Sequence, residues 1–144
     1  EQLAYANSLW SFLDLETGMP ARILPEELAA YRLEEKLDMD YAPRKIRVPE
    51  HTVQGETFTV KPHHLDTNHH VNNGQYVSMA RDCFREDFTI RQLRVEYKRQ
   101  ALLGDQIIPC LAAEGDRYVV SLNNPDSQPY AVVEFTVEAP AAAG

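Results

Sequence analysis

The sequence predicts an α+β protein in which one antiparallel β-sheet wraps around a single central α-helix. Three observations lead there. One segment, about Asn73 to Arg85, carries both a helix-start signature and a helical apolar stripe. One segment before it and four after it alternate apolar and polar residues at the two-residue period of a strand. The turns between the later strands are short, which favours antiparallel neighbours.

Taken in chain order, residues 3 to 13 ("LAYANSLWSFL") alternate Leu3, Tyr5, Leu9 and Leu13 against Trp10 and Phe12, a strand buried on both faces. "DLETGMP" supplies a turn, and Pro25 opens a short helix expected to run to about Leu37. Residues 38 to 55 are polar and broken by Pro43 and Pro49, a linker with room for a short strand around Ile46 and Val48. "ETFTVKP" is expected to be a strand ending at Pro62. In the main helix Asn72 is the N-cap, Gln75 completes a capping box, and Val71 and Tyr76 fall at the staple positions. Val77, Ala80 and Phe84 stripe one face. "DFTIRQLRVEYKRQ" slips phase near Gln92, the mark of a bulge, and Pro109 in "QIIPCLAAE" implies an edge or a bulge. "EGD" and "NPDSQP" turn the chain into the last two strands, and "APAAAG" is expected to be a disordered tail.

Composition narrows the function classes. With 144 residues, 44% hydrophobic and 25% charged, the chain fits one soluble domain. No apolar run suggests membrane insertion. A net charge of −8 argues against nucleic acid as a partner. Positive charge is nevertheless clustered: "RKIR" (Arg44 to Arg47) and "RQLRVEYKR" (Arg91 to Arg99) hold seven of the fourteen Lys and Arg residues. Such clusters are either solvated faces or a docking surface for an acidic partner. Cys83 and Cys110 are too few for a disulfide framework.

Chemistry concentrates in "HHLDTNHHVNN" (residues 63 to 73). A metal is not expected, because adjacent histidines in extended chain point apart and neither cysteine pairs nor HExxH are present. Asp66, Asn68 and His70 lie two residues apart, so in an extended segment all three project to one side. They lead into a helix whose first-turn amides, at Asn72, Asn73 and Gly74, could hold a carbonyl oxygen as it becomes an oxyanion. A general base, a proton carrier and a positioning amide suit attack on an acyl group. A thioester needs no serine or cysteine nucleophile, since its thiolate leaves readily. The plainer alternative is local: Asp66 and Asn68 as Asx-turn residues, Asn72 as a cap, and His63, His64 and His69 as surface residues.

"LDTNHHVNNGQYV" resembles the D-x-N-x-H-V-N-N-x-x-Y signature of the acyl-acyl carrier protein thioesterases, which have hotdog folds. "LRVEYKRQALLGD" (Leu93 to Asp105) resembles that family's E-Y-[KR]-[KR]-E strand and the Gly-Asp turn after it. "ANSLWSFLDLETGMPARILPEEL" resembles the last strand of a first hotdog domain and the crossing into a second. The resemblance implies a fragment of a double-hotdog chain: residues 1–15 as the terminal strand of a preceding domain, 16–54 as helix and linker, 55–138 as a hotdog domain and 139–144 as tail. A chain opening on Glu1 rather than methionine agrees with that.

The resemblance also implies a reaction and a site. The family's catalytic Asp, Asn and His fall on Asp66, Asn68 and His70, and its catalytic Glu falls on Gln100, an amide that can orient water but not deprotonate it. The implied reaction is hydrolysis of a long-chain acyl group from acyl carrier protein, with no cofactor beyond the carrier's own phosphopantetheine arm. The acyl chain is expected between helix and sheet, near Val77 and Phe84, and the acidic carrier on Arg91, Arg94, Lys98 and Arg99. A homo-oligomer, or pairing with a first hotdog domain, is expected because a lone terminal strand needs a sheet edge. Bacterial cytoplasm is the expected compartment, with plastid as the other. Two rival readings stay open: hydrolysis of coenzyme A thioesters, and an acyl-binding or assembly module without turnover.

Overall fold

The computed structural model describes residues 3–138, so the expected tail lies outside the described residues. The chain divides at Ala42/Pro43 into two units, the second beginning well before the expected boundary at residue 55. In the first unit residues 3–12 form no strand, and only Leu13 pairs, with Pro20, in an isolated bridge. The alternating pattern suits a strand, but the described residues of this unit offer no sheet edge to complete it. Helix α1 (Pro25–Leu28) is also shorter than expected. Glu27 reaches back to the Leu24 N–H at 3.0 Å to start it, but no basic residue stands in its last turn and none of its residues is buried. A helix this short needs packing to propagate.

The second unit is a six-stranded antiparallel sheet with one helix on it. Strands β1 (Val53–Gln54), β2 (Phe58–Thr59), β3 (Ile90–Tyr97), β4 (Gln106–Glu114), β5 (Arg117–Asn123) and β6 (Pro129–Val137) run in the order β1-β4-β5-β6-β3, with β2 also on β4. The phase slip near Gln92 is a register shift between Ile90 and Gln92 against β6. Pro109 explains why β1 and β2 are separate. Its carbonyl accepts the Gly55 N–H at 2.8 Å, so its missing donor faces that same edge, and the ladder breaks between the two short strands. The backbone of Gly55 passes close to β4, since a Cβ there would come within 2.9 Å of Leu111 Cδ1 and 3.3 Å of Pro109 Cγ, so the Leu111 side chain would have to shift. Gly115, at φ +64°, makes the tight turn from β4 to β5.

Helix α2 (Asn73–Asp82) packs on β5 and β6, burying Tyr76, Met79 and Ala80 against Val120, Leu122, Ala131, Val133 and Phe135. It ends three residues before the expected Arg85. There Arg81 turns its guanidinium onto the carbonyls of Phe84 and Glu86 at 3.2 and 3.0 Å and over the Phe88 ring. No helix among the described residues is long and apolar enough to cross a membrane.

The sheet's other face is covered by residues 43–48, which form no strand but bury Ile46 against Val119 and Val132. What holds them is a buried charge. Glu134, 4% exposed, pairs with Arg94 at 2.6 Å and with Arg117. Arg94 also donates to Pro43 O and Arg117 to Arg47 O, so two arginines fixed by one carboxylate carry the covering segment. Removing one partner of such a cluster leaves charge without compensation. Glu134→Ala is therefore expected to lower unfolding stability by about 3 kcal/mol. Glu114→Ala, which removes an exposed partner of Arg117, is expected to stay within about 0.5 kcal/mol in the same denaturant titration.

Candidate functional site

The Asp66–Asn68–His70 segment is not extended. Leu65 and Val71 pair in an isolated antiparallel bridge, and the five residues between them fold back as a tight loop. Asp66 organises it: its N–H donates to His70 O at 2.8 Å, and its Oδ1 accepts the N–H groups of Asn68 at 2.8 Å and His70 at 3.3 Å. His69 takes φ +62° to complete the turn. The expected projection of three side chains to one side is thus corrected. A short carboxylate in such a sequence competes for nearby backbone donors, and here it wins them. Asp66 and His70 are half-buried and Asn68 is exposed.

Asn72 caps α2 as expected, accepting the Gly74 N–H at 2.9 Å. The Gln75 N–H goes to Asn72 O, and the back-bond of a capping box is absent among the described residues. Two of the first-turn amides are thereby already used. Gly74 lies tight against the cap: a Cβ on it would lie 3.3 Å from Asn72 Oδ1. The Asn73 N–H is the first-turn donor without a partner among the described residues.

Gln100 reaches this loop through its neighbour. Ala101, fully buried, accepts the Val71 N–H at 3.0 Å and donates to Tyr76 Oη at 2.9 Å. Residues 100 and 70 are thus each one step from the two ends of one hydrogen bond. Tyr97 Oη donates to Asn73 O at 3.1 Å, tying the end of β3 to the helix start, and the rings of Tyr76 and Tyr97 lie 6.0 Å apart. Burial raises both phenol pKa values, so both hydroxyls stay protonated in neutral solution. Behind them Tyr130 donates to Asp105 Oδ2 at 3.1 Å, and burial, then the Asp105 charge, push its pKa up to about 12. Gly104, at φ +88°, lets the chain turn so that Asp105 also receives Leu102 N–H and, through its carbonyl, Val60 N–H. Tyr76 and Tyr97 are site residues that the sequence does not mark as such, although both lie within the quoted motifs.

Other expected residues are placed differently. Phe84 packs edge-on against Tyr118 at 5.1 Å and beside Phe88 and Phe135, so it fills core rather than lining an open slot. Val77 is half-buried against the same core. A cavity of about 500 Å³, bounded by Lys45, Ile46, Val48, Lys98 and Val132, opens on the sheet face away from α2. Arg94 is spent on Glu134 and the 43–47 carbonyls, which removes it from a docking surface. Lys98 pairs with Glu96, whose other oxygen accepts the Ile46 N–H, while Arg91 and Arg99 are exposed and make no ion pair among the described residues. Cys83 is no nucleophile: its Sγ donates to Met79 O, and burial pushes the thiol up to about 11. Among the described residues no group of three or more His, Cys, Asp and Glu side chains is placed to hold a metal ion.

Residues 48–125 match the sequence model of the acyl-ACP thioesterase C-terminal domain. The fold is similar to that of an acyl-ACP thioesterase from Bacteroides thetaiotaomicron, at 21% identity and a TM-score of 0.74 over 88% of this chain and 53% of that one. It is also similar to a putative oleoyl thioesterase from Lactobacillus plantarum, at 18% identity and a TM-score of 0.64 over 88% and 54%. A hypothetical protein from Staphylococcus aureus, solved in complex with CoA, matches at 17% identity and a TM-score of 0.55 over 62% and 76%. These likenesses establish the hotdog fold, and this chain spans about half the length of the first two. No curated protein sequence matches it significantly.

The Tyr76–Ala101 bond is the joint most open to test. Tyr76→Phe leaves a buried N–H unsatisfied and is expected to lower stability by about 1–3 kcal/mol. Amide exchange should accelerate at Ala101 and Val71 before it does in the β5–β6 core.

Proposed function

From the premise that the chain belongs to the acyl-ACP thioesterase C-terminal domain family, we propose that it contributes the catalytic half of a hotdog enzyme that hydrolyses long-chain acyl thioesters of acyl carrier protein. The observation that carries this reading is the loop itself. A half-buried carboxylate and an imidazole are held beside a helix start, with residue 100 brought alongside by Ala101.

The chemistry follows from what each group has left to offer. Asp66 Oδ1 already accepts two backbone N–H groups, so Oδ2 is the oxygen that takes a proton from water as the water attacks the thioester carbonyl. The carbonyl oxygen gains charge in that step, and the Asn73 N–H and the exposed Asn68 amide are the donors for it. The C–S bond then breaks, the proton reaches the departing thiolate through His70, and the products are a free fatty acid and the carrier thiol. Gln100 orients the water by hydrogen bonding. It cannot replace a carboxylate as base, which leaves Asp66 alone in that role and favours slow turnover. The same substitution favours the second reading, a hotdog module that binds acyl groups or assembles without turnover.

The remaining parts of the reading concern partners. Arg91, Lys98 and Arg99 form the face offered to an acidic carrier. Strand β3 ends the sheet, and its outer edge is where a first hotdog domain or a second copy of the chain would add a strand. Residues 3–13 form no strand here and leave Leu3, Leu9 and Trp10 exposed; beside such a preceding domain they would pair as its terminal strand. Bacterial cytoplasm is the compartment in which this carrier chemistry is expected.

The decisive experiment is a hydrolysis assay of the full-length protein on one acyl chain carried by acyl carrier protein and by coenzyme A. A clear coenzyme A preference would overturn the carrier assignment. Asp66→Asn keeps an Oδ1 acceptor for the loop while removing the base, so it is expected to lower kcat by about 10²–10⁴ with unchanged folding. Unchanged hydrolysis in that variant would sink the catalytic assignment. Gln100→Glu is expected to raise kcat, and a flat result would show that position 100 does not limit the rate.

A further inference from the structure

Immediately before the candidate loop lies a histidine that the proposed chemistry does not use. His64 is the last residue of a 3-10 turn, Pro62–His64. Its N–H donates to Lys61 O at 3.0 Å, and its ring Nδ1 accepts the Lys61 N–H at 3.0 Å. The two bonds are reciprocal and close the turn on itself. Its carbonyl accepts the N–H of Asn72, the α2 cap, at 2.9 Å. One residue therefore locks the turn that enters the loop and holds the residue at which the loop ends. An accepting Nδ1 requires the neutral ring with its proton on Nε2.

We propose that neutral His64 is the positioning residue of the helix entrance: its ring locks the Lys61 turn, the locked turn aims the carbonyl that carries Asn72, and protonation of the ring releases both. A protonated ring would set one donor against another at Lys61, and the bond could only break. The ring's surroundings agree. Burial, then the neighbouring His63 and Lys61, hold its pKa below the ordinary 6.5. Those two groups of its own turn are the charges acting on it, and α2 presents to it the uncharged Asn72. Because the folded-state pKa lies below the unfolded one, the stabilising contribution is fully present above pH 6.5. It is lost as pH falls through the lower folded value. The consequence for turnover rests on the thioester reading, since the held loop carries Asp66 and His70. The positioning itself does not.

The test therefore follows backbone amides rather than turnover. In the full-length protein, amide exchange of Lys61 and Asn72, corrected for intrinsic rates, is measured from about pH 8 down to about pH 5, the range in which histidine changes charge. Protection at both amides is expected to fall about fivefold toward the acid end, the size of one modest hydrogen bond. His64→Gln supplies a capping-box acceptor that does not titrate and is expected to flatten that dependence. His64→Ala is expected to lose the protection at every pH. Flat protection in the unmodified protein, or the same pH course in His64→Gln, overturns the proposal. An absence of thioester hydrolysis would leave it standing and count only against the catalytic reading.

Discussion

The site depends on a residue with almost no side chain. Ala101 is fully buried between the candidate loop and α2, and both of its backbone polar groups are used there, one toward Val71 and one toward Tyr76. In such a position each unmade hydrogen bond carries the full desolvation penalty. A larger side chain would also have to be accommodated inside the core cluster, since Ala101 has no exposed surface. Three separate stretches of chain, the 62–71 loop, the α2 start and the β3–β4 connection, meet at this alanine. The chemistry proposed for residues 66, 70 and 100 is only as well placed as that junction. Tyr97 and Tyr130 secure the same connection from either side, the first by bonding Asn73 O and the second by bonding Asp105.

A second constraint acts on the far face of the sheet and leaves the site alone. Glu134 with Arg94 and Arg117 fixes the 43–47 carbonyls, and Glu96 holds Ile46 N–H. The β3 strand thus alternates two tasks along its length. Arg94 and Glu96 serve the outer cover, while Val95 and Tyr97 serve the helix side. This alternation explains why a sequence cluster of cations is a poor map of a docking surface. Charge on one strand is shared between faces, and a carboxylate forty residues away decides which of it stays free.

What was legible in the sequence is what local chemistry decides. The Asn72 cap, the slip at Gln92 and the break in the ladder opposite Pro109 each follow from one residue's donors, acceptors or missing N–H, and each is found in the structure. The pattern at residues 3–13 failed to give a strand because periodicity describes a side-chain surface and not the partner edge that a strand requires. The loop at residues 65–71 failed for the opposite reason. An alternating trio implies extended chain, but the first member of this trio is itself the group that folds the chain back. Tyr76 was read as a staple residue, and its hydroxyl's partner at Ala101 could not be found by spacing, since 25 residues separate them.

The double duty of Asp66 ties the loop to the proposed chemistry. The same carboxylate accepts two loop amides through Oδ1 and, in the proposed mechanism, a proton through Oδ2. Hydrogen bonds to an ionised acceptor are roughly twice as strong as those to a neutral one. If Asp66 takes the proton from water as proposed, it therefore loosens its own hold on Asn68 and His70. Passing the proton on through His70 to the departing thiolate restores the charge and with it the loop. A carboxylate at position 100 would share that proton and spare the loop this cycle. With Gln100 in place, the loop must instead be held by bonds that the reaction does not touch, namely Asn72 to His64 and Val71 to Ala101. In the proposed mechanism, these fixed hydrogen bonds on either side of the loop hold it through the proton cycle that Asp66 carries alone.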